Sequence, residues 1–387
     1  MKLHFLLFTA WLIHGNQSFI TPCWTRPSPR SSSSLTSSKG EPDDPDLQWN
    51  LYKQYHARGS WKGIWTTYDY MGDVLDEVVA SVDLDLLSDE NKVQQTHQIV
   101  VGATRSDCAT CFDRMETQTI PVAQYTRDNL MVRHRLAAHS QIVGPTLTRS
   151  GLLATELILS YEDARVRVLF QHAPVWERDI EPGSCPPQGL KLARCLISRE
   201  ALRNVPPTAE TETETDNIRF YRPVPPYAWH KQWQGTSWTW GPQNGNRGWT
   251  IDELPEGDDW HGSAPVDRWN LRLPGGVFVQ CPRILTDAEV GLCRLAWLAK
   301  DETLLRVEAG VTVLQPIVQD EQIVGFEPPA LTSLRCDILQ KVGDLEGEPM
   351  FLRENAANSD GVIAPTPESA AEESSDALKA IRDAMSL

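Results

Sequence analysis

Apolar and polar positions along this chain repeat mostly with a period of two, in short runs bounded by turn-forming residues. The stretch 61–68, Trp-Lys-Gly-Ile-Trp-Thr-Thr-Tyr, mixes alternation with β-branched and aromatic residues and predicts a strand. Further runs at 78–84, 96–104, 119–123, 129–136, 140–143, 154–161 and 164–170 predict more strands, and Glu162-Asp163 sets a tight turn between the last two. A second series follows at 269–273, 276–281, 291–299, 304–314 and 331–340, with Pro274-Gly275 as its clearest turn signal. Helical spacing appears ahead of the first strand, where Trp49, Tyr52 and Tyr55 recur every three residues. Many short strands with few helical stretches between them predict an all-β antiparallel sandwich or barrel.

The two series are separated by a different kind of sequence. Glu181-Pro-Gly-Ser-Cys-Pro-Pro187 breaks the pattern, 188–205 has a helical pattern, and 206–217 is a low-complexity acidic run too polar to pack. We therefore expect a first β module over 49–180, a linker over 181–217, a second β module over 218–345 that opens with a Pro-containing β segment at 218–226, and an acidic tail over 346–387. Seven of the 14 Trp fall between Trp229 and Trp269, a cluster that serves either as the packed core of the second module or as a stacking surface for a flat ligand.

Residues 1–40 are read apart from the fold. They hold Lys2, Arg26, Arg30 and Lys39 and no acidic residue. The apolar run 3–13 is shorter than the ~20 residues a bilayer span needs, and with the basic start it reads as a secretory signal peptide. Phe19-Ile20-Thr21-Pro22 and the Ser-rich run 31–38 that follow have transit-peptide composition. Together they resemble the bipartite plastid-targeting leader of algae with secondary plastids; the alternative is a secreted protein with a linker. No later segment is long and apolar enough to be a predicted membrane span.

A net charge of -16 opposes nucleic-acid binding, which needs clustered positive charge. Outside the leader the cysteines number seven, odd and sparse for a disulfide scaffold. Cys108-Ala-Thr-Cys111 lacks the second pair of a zinc site; it stands as a thiol switch or as two incidental thiols, and no metal site is expected. Phosphate-loop, dinucleotide, Gly-x-Ser-x-Gly and His-Glu-x-x-His motifs are absent from the sequence.

The opening Gly59-Ser60-Trp61 resembles that of the lipocalin and calycin superfamily. There a Trp on the first strand plugs one end of a barrel and a late-strand Arg stacks on its indole. Arg167 is the expected partner, with Arg165 on the same strand. The runs Leu273-Pro-Gly-Gly-Val-Phe-Val-Gln-Cys-Pro282, Leu295-Ala-Trp-Leu298 and Leu304-Leu-Arg306 are similar to a lipocalin-like family known as domain of unknown function 3598, over roughly 49–320 without the linker. The family pattern continues with Tyr-Asp after Arg306, where this chain has Val307-Glu308.

The resemblance implies two lipocalin-like antiparallel β-barrel modules joined by the acidic linker, with Gly59, Trp61, Arg167 and Arg306 closing barrels, and it supplies no catalytic residues. Such barrels hold one small apolar ligand, oriented by a few polar groups. Tyr68, Arg133 and Arg135 are the expected ligand-binding residues, with His97, His134 and His172 as further cavity candidates. Arg133 and Arg135 share a strand face by the period of two, and His134 faces away from them. The expected function is a plastid binding protein for a tetrapyrrole, carotenoid or fatty acid, acting as a carrier or as an assembly helper for pigment-binding proteins. The alternatives are a pigment lyase or isomerase using the same cavity, and an interaction protein whose barrels are filled by side chains.

Overall fold

A computed structural model describes residues 45–87, 91–105, 108–148, 151–175, 189–203, 224, 228–229, 231–243, 246–254, 268–286, 290–313, 315–319 and 322–344. The expected leader, the acidic run at 206–217 and the tail lie outside the described residues. Among the described residues, no helix is long and apolar enough to cross a membrane.

The chain opens with helix α1 (Pro45–Leu51) and a π-helical turn (Tyr52–His56). Nine strands then build the first sheet: β1 (Gly59–Asp69), β2 (Val74–Leu86), β3 (Lys92–Arg105), β4 (Cys108–Thr126), β5 (His134–Ala137), β6 (Ser140–Leu147), β7 (Leu153–Tyr161), β8 (Ala164–Val175) and β9 (Gly189–Arg203). A short helix α2 (Arg127–Leu130), capped by Thr126, joins β4 to β5. The strand order is β4-β3-β2-β1-β9-β8-β7-β6-β5, so the first and last strands are neighbours. This is the cyclic order of an up-and-down barrel whose ladder is open between β4 and β5, a half-barrel.

The second sheet repeats the scheme. Its strands are β10 (Lys231–Gln243), β11 (Asn246–Leu254), β12 (Arg268–Leu273), β13 (Val277–Pro282), β15 (Gly291–Lys300), β16 (Thr303–Thr312) and β19 (Ala330–Asp344), in the order β11-β10-β19-β16-β15-β13-β12. The short β14 (Ile284–Leu285) crosses over to pair with β9, and β17 (Gln315–Gln319) with β18 (Gln322–Glu327) forms a separate hairpin. The all-β class expected from the alternation is the observed one.

Alternation decides where each side chain goes. On β8, Ala164, Val166, Val168 and Phe170 are fully buried in one core cluster, and so are Leu305, Val307, Ala309 and Val311 of β16. These rows belong to a single apolar layer between the two sheets, which also holds Trp240 and Trp269. The opposite faces line two concavities. In the first, Trp49, Tyr52, Trp61, Trp65, Val82, Val93 and Leu136 cluster; in the second, Trp233, Phe278, Leu298, Leu304 and Leu339. Both faces of the central strands are therefore apolar, as a sheet covered on both sides requires.

Residues 189–203 fall inside the predicted linker and carry a helical pattern, yet they form β9, which pairs with β1 on one side and β8 on the other. The register slips between Gln171 and His172, so the core-facing positions on β9 run Leu190, Leu192 and then Cys195, Ile197. That bulge breaks the period of two and hides the strand. The first module therefore extends to 203.

The two modules share a glycine at the same place in the strand register. Gly63 lies opposite Glu200, and a Cβ there would sit 1.8 Å from the Arg199 carbonyl oxygen. Gly235 lies opposite Leu339, and a Cβ there would sit 2.0 Å from the Ile338 carbonyl oxygen. Each glycine lets the module's first strand press onto its last, and each follows a buried Trp by two positions, Trp61 and Trp233. Gly63→Ala is expected to cost about 3 kcal/mol in urea unfolding, because backbone rather than a movable side chain blocks the methyl. A Gly63→Ala protein as stable as the parent would refute this close contact.

Candidate functional site

The concave face of the first half-barrel carries a buried charge network. Its members arise from strand parity: Trp61 and Trp65 on β1, Arg165 and Arg167 on β8, Glu200 on β9 and Glu156 on β7 sit on faces opposite the inter-sheet core. Arg165 Nε donates to Glu200 Oε2 at 2.7 Å, and its Nη2 lies 2.5 Å from the same oxygen. Trp65 Nε1 donates to Glu200 Oε1 at 2.9 Å. Arg167 bridges outward, with Nε 3.0 Å from Glu156 Oε1 and Nη1 3.6 Å from Glu200 Oε1.

Each guanidinium also covers an indole. Arg165 lies over the Trp61 ring at 4.4 Å, and Arg167 lies over Trp65 at 5.2 Å. The stacking partner of Trp61 is thus Arg165, one pleat away from the expected Arg167. Trp61 Nε1 donates to the His56 carbonyl at 3.0 Å, so the π-helical turn is stitched onto the plugged end. Gln48 of α1 exchanges two 2.9 Å bonds with the Leu136 backbone, covering the edge strand β5 as another strand would. Gly59 has φ +113°, a conformation that glycine adopts without strain, where β1 begins.

Burial acts on these groups in opposite senses. It lowers Arg165 to about 10, with Glu200 pulling the other way. For Arg167 burial also lowers, but Glu200 and Glu156 outweigh it and the net shift is upward. Both side chains carry their charge at neutral pH.

Three histidines face the same concavity. His97 meets the Trp65 ring edge-on at 5.0 Å, and its Nε2 lies 2.7 Å from Gln95 Nε2. An amide nitrogen only donates, so His97 Nε2 accepts, and the ring proton is on Nδ1, which has no partner. His134 packs edge-on against Tyr125 at 4.7 Å and Tyr52 at 5.9 Å, and its Nδ1 accepts from the Gln141 amide. Its proton is then on Nε2, again without a partner. His56 Nδ1 lies 3.4 Å from Ser160 Oγ, and its Nε2 is unpartnered. The ring nitrogens of His97 and His134 that the glutamines leave free are thus buried without a hydrogen-bond partner, an uncommon state for a buried polar group.

Trp61 and Trp65 are fully buried, whereas Glu156, Leu169 and Leu196, farther along the same faces, are half-buried.

The second module meets the equivalent positions differently. Arg165 faces Glu200 across β8 and β9, and the matching pair across β16 and β19 is Leu304 with Leu339. Arg167 faces Ser198, and its counterpart Arg306 faces Asp337. Arg306 Nε donates to Asp337 Oδ2 at 2.9 Å, with Nη2 at 2.7 Å, both residues fully buried. Ser237 stands where the first module has Trp65.

The expected ligand-binding trio is not brought together. Tyr68 belongs to the inter-sheet core, where burial raises its pKa. Arg135 donates to the Met131 and His134 carbonyls and lies over Trp240 of the second module, 5.5 Å from its ring centroid. Arg133 precedes β5 in a turn, half-buried, and so does not share a strand face with Arg135. Of the further candidates, His97 and His134 face the concavity, whereas His172 bonds the Pro282 carbonyl across the sheets at 3.1 Å.

Glu200 and Glu156 escaped sequence reasoning. The only signal for Glu200 was its place on β9, which the bulge obscured. The side chains of Cys108 and Cys111 lie outside the described residues, and no group of three or more possible metal ligands occurs among those described.

Residues 46–174, from α1 to β8, match the family model described as Domain of unknown function (DUF3598), N-terminal. No curated protein matches the chain. Similar solved structures include a protein of unknown function from the DUF3598 family of Nostoc punctiforme PCC 73102, at 13% identity and TM-score 0.46, covering 76% of this chain and 99% of that one. MucB in complex with MucA follows at 11% identity and TM-score 0.16, covering 81% and 97%. An S-type phycobiliprotein lyase, CPES from Guillardia theta, has 8% identity and TM-score 0.14, covering 78% and 98%.

Burial holds His134 near 3 and His172 near 4, and it depresses His56 and His97 as well. Unfolded, these imidazoles protonate below about 6.5. The unfolded chain therefore binds more protons between pH 6.5 and about 3, so stability is complete above that window and is lost as the pH falls through it. The urea midpoint should drop between about pH 7 and pH 4, with a shallower slope in His134→Gln. An identical slope in that variant would contradict the assignment.

Proposed function

We propose that the chain is a lipocalin-like binding protein whose first half-barrel holds an apolar molecule bearing a hydrogen-bond acceptor. The observation that carries this reading is the contrast between the modules. Where the second module buries Leu304 against Leu339, the first buries Arg165 against Glu200, and it also buries unpartnered ring nitrogens on His97 and His134. The second module buries one such ion pair, Arg306 with Asp337; the first adds Arg165 with Glu200, whose desolvation two leucines would avoid.

In this reading the ligand body rests on Leu169 and Leu196 at the mouth, and its acceptor meets His97 Nδ1–H beside Arg167. A fatty acid or a tetrapyrrole supplies carbonyl or carboxylate oxygens; a carotenoid hydrocarbon does not. Carriage of such a ligand to pigment-binding proteins in a plastid agrees with the composition of residues 1–40. A second reading, an interaction protein with a filled barrel, is favoured by the complete burial of Trp61 and Trp65 at the plugged end.

Titration of the full chain separates these readings. Palmitate or biliverdin should quench the indole fluorescence saturably, and β-carotene should not. His97→Leu keeps the packing, removes the donor, and is expected to weaken binding about tenfold. Absence of binding by either acceptor-bearing ligand would overturn the proposal in favour of the filled barrel. A lasting change in the biliverdin spectrum would point instead to a pigment-converting enzyme.

A further inference from the structure

At the plugged end, where Ser160 Oγ lies 3.4 Å from His56 Nδ1, lies a second concave feature. It is a cleft of about 380 Å³ bordered by Tyr55, Arg58, His139, Ser160, Tyr161 and Glu162. The strands place three rings around it. Tyr55 of the π-helical turn meets His139 edge-on at 4.6 Å, and Tyr161 at the end of β7 stands 6.1 Å from the same imidazole, tilted by 45°.

The charges of the cleft are unevenly satisfied. Lys300, the last residue of β15, pairs with the Glu162 carboxylate at 2.5 Å and lies 5.4 Å over the Tyr161 ring. Both features that would attract a cation are therefore already served by one. Arg58, in contrast, donates to the Glu162 backbone carbonyl and has no carboxylate partner among the described residues. It is exposed, so its guanidinium reaches the cleft without the cost of burial. Burial and the neighbouring Arg58 lower the pKa of His139, which leaves the imidazole neutral and able to stack.

We propose that this cleft binds a small aromatic carboxylate. Its ring packs against Tyr55 and Tyr161, and its carboxylate pairs with Arg58. The volume suits a one- or two-ring molecule, at the small end of the ~300–1,000 Å³ typical of ligand pockets. An extended tetrapyrrole or acyl chain does not fit the cleft, which distinguishes this site from the mouth of the half-barrel.

Calorimetric titration of the full chain with three probes tests the assignment. Benzoate should bind saturably; benzamide, which lacks the charge, and cyclohexanecarboxylate, which lacks the ring, should each bind about tenfold more weakly. Arg58→Gln, at an exposed position, should erase the preference for benzoate over benzamide, and Tyr55→Leu the preference over cyclohexanecarboxylate. If Tyr55→Leu does not fold, the Arg58 arm decides alone. His97→Leu should leave benzoate binding unchanged, which separates this site from the concavity. Equal binding of benzoate and benzamide, an unaltered preference in Arg58→Gln, or no saturable benzoate binding would each overturn the proposal.

Discussion

The fully buried carboxylate of Glu200 organises the first module. One oxygen takes the Arg165 guanidinium and the other takes the Trp65 indole, with Arg167 close by. Through the two arginines it fixes the two indoles that plug the half-barrel, and through Arg167 it reaches Glu156 at the opening. A carboxylate this deep persists only because cations and donors surround it, and the cations persist for the same reason. The pairing of β1 with β9, made possible by the missing side chain at Gly63, brings Glu200 into place.

The two halves of the chain show one architecture used in two chemical versions. First and last strands pair around a glycine in each, a Trp precedes that glycine by two, and an Arg is buried on the strand that flanks the last one, Arg167 on β8 and Arg306 on β16. What differs is the layer beside the glycine: Arg165 with Glu200 in one, Leu304 with Leu339 in the other. An apolar layer is the simpler way to fill such a space, and the charged one concentrates polar chemistry in the first concavity. Between the halves, the shared apolar layer and the β14–β9 pairing join both sheets, so the first concavity is built on a support wider than its own strands.

Much of this was legible in the sequence, where alternation survived. The strands around Trp61, Ala154, Ala164, Gly291 and Leu304 read directly, as did the turns at Glu162-Asp163 and Pro274-Gly275. Gly59, Trp61 and a stacked arginine on β8 were legible as a group, although parity alone could not say which arginine covers which indole. The rest was hidden for physical reasons. A bulge reversed the parity of β9 midway, and its Leu, Ala and Arg content favours helix in isolation. Arg135 and His134 obey the period of two, but the sequence does not say which face looks into the concavity and which meets Trp240. The shared Trp-x-Gly at 61 and 233 emerges only from the register of the strands, since the layer that distinguishes the modules is where their residues diverge.

The account requires that the concavity present two neutral imidazoles with unshared protons. Nitrogen NMR of the full chain with labelled histidine reads this directly. At about pH 6, His97 should carry its proton on Nδ1 and His134 on Nε2, both neutral, and added palmitate should shift both resonances. Imidazolium signals for these two rings, or resonances that ignore the ligand while it binds, would contradict the account.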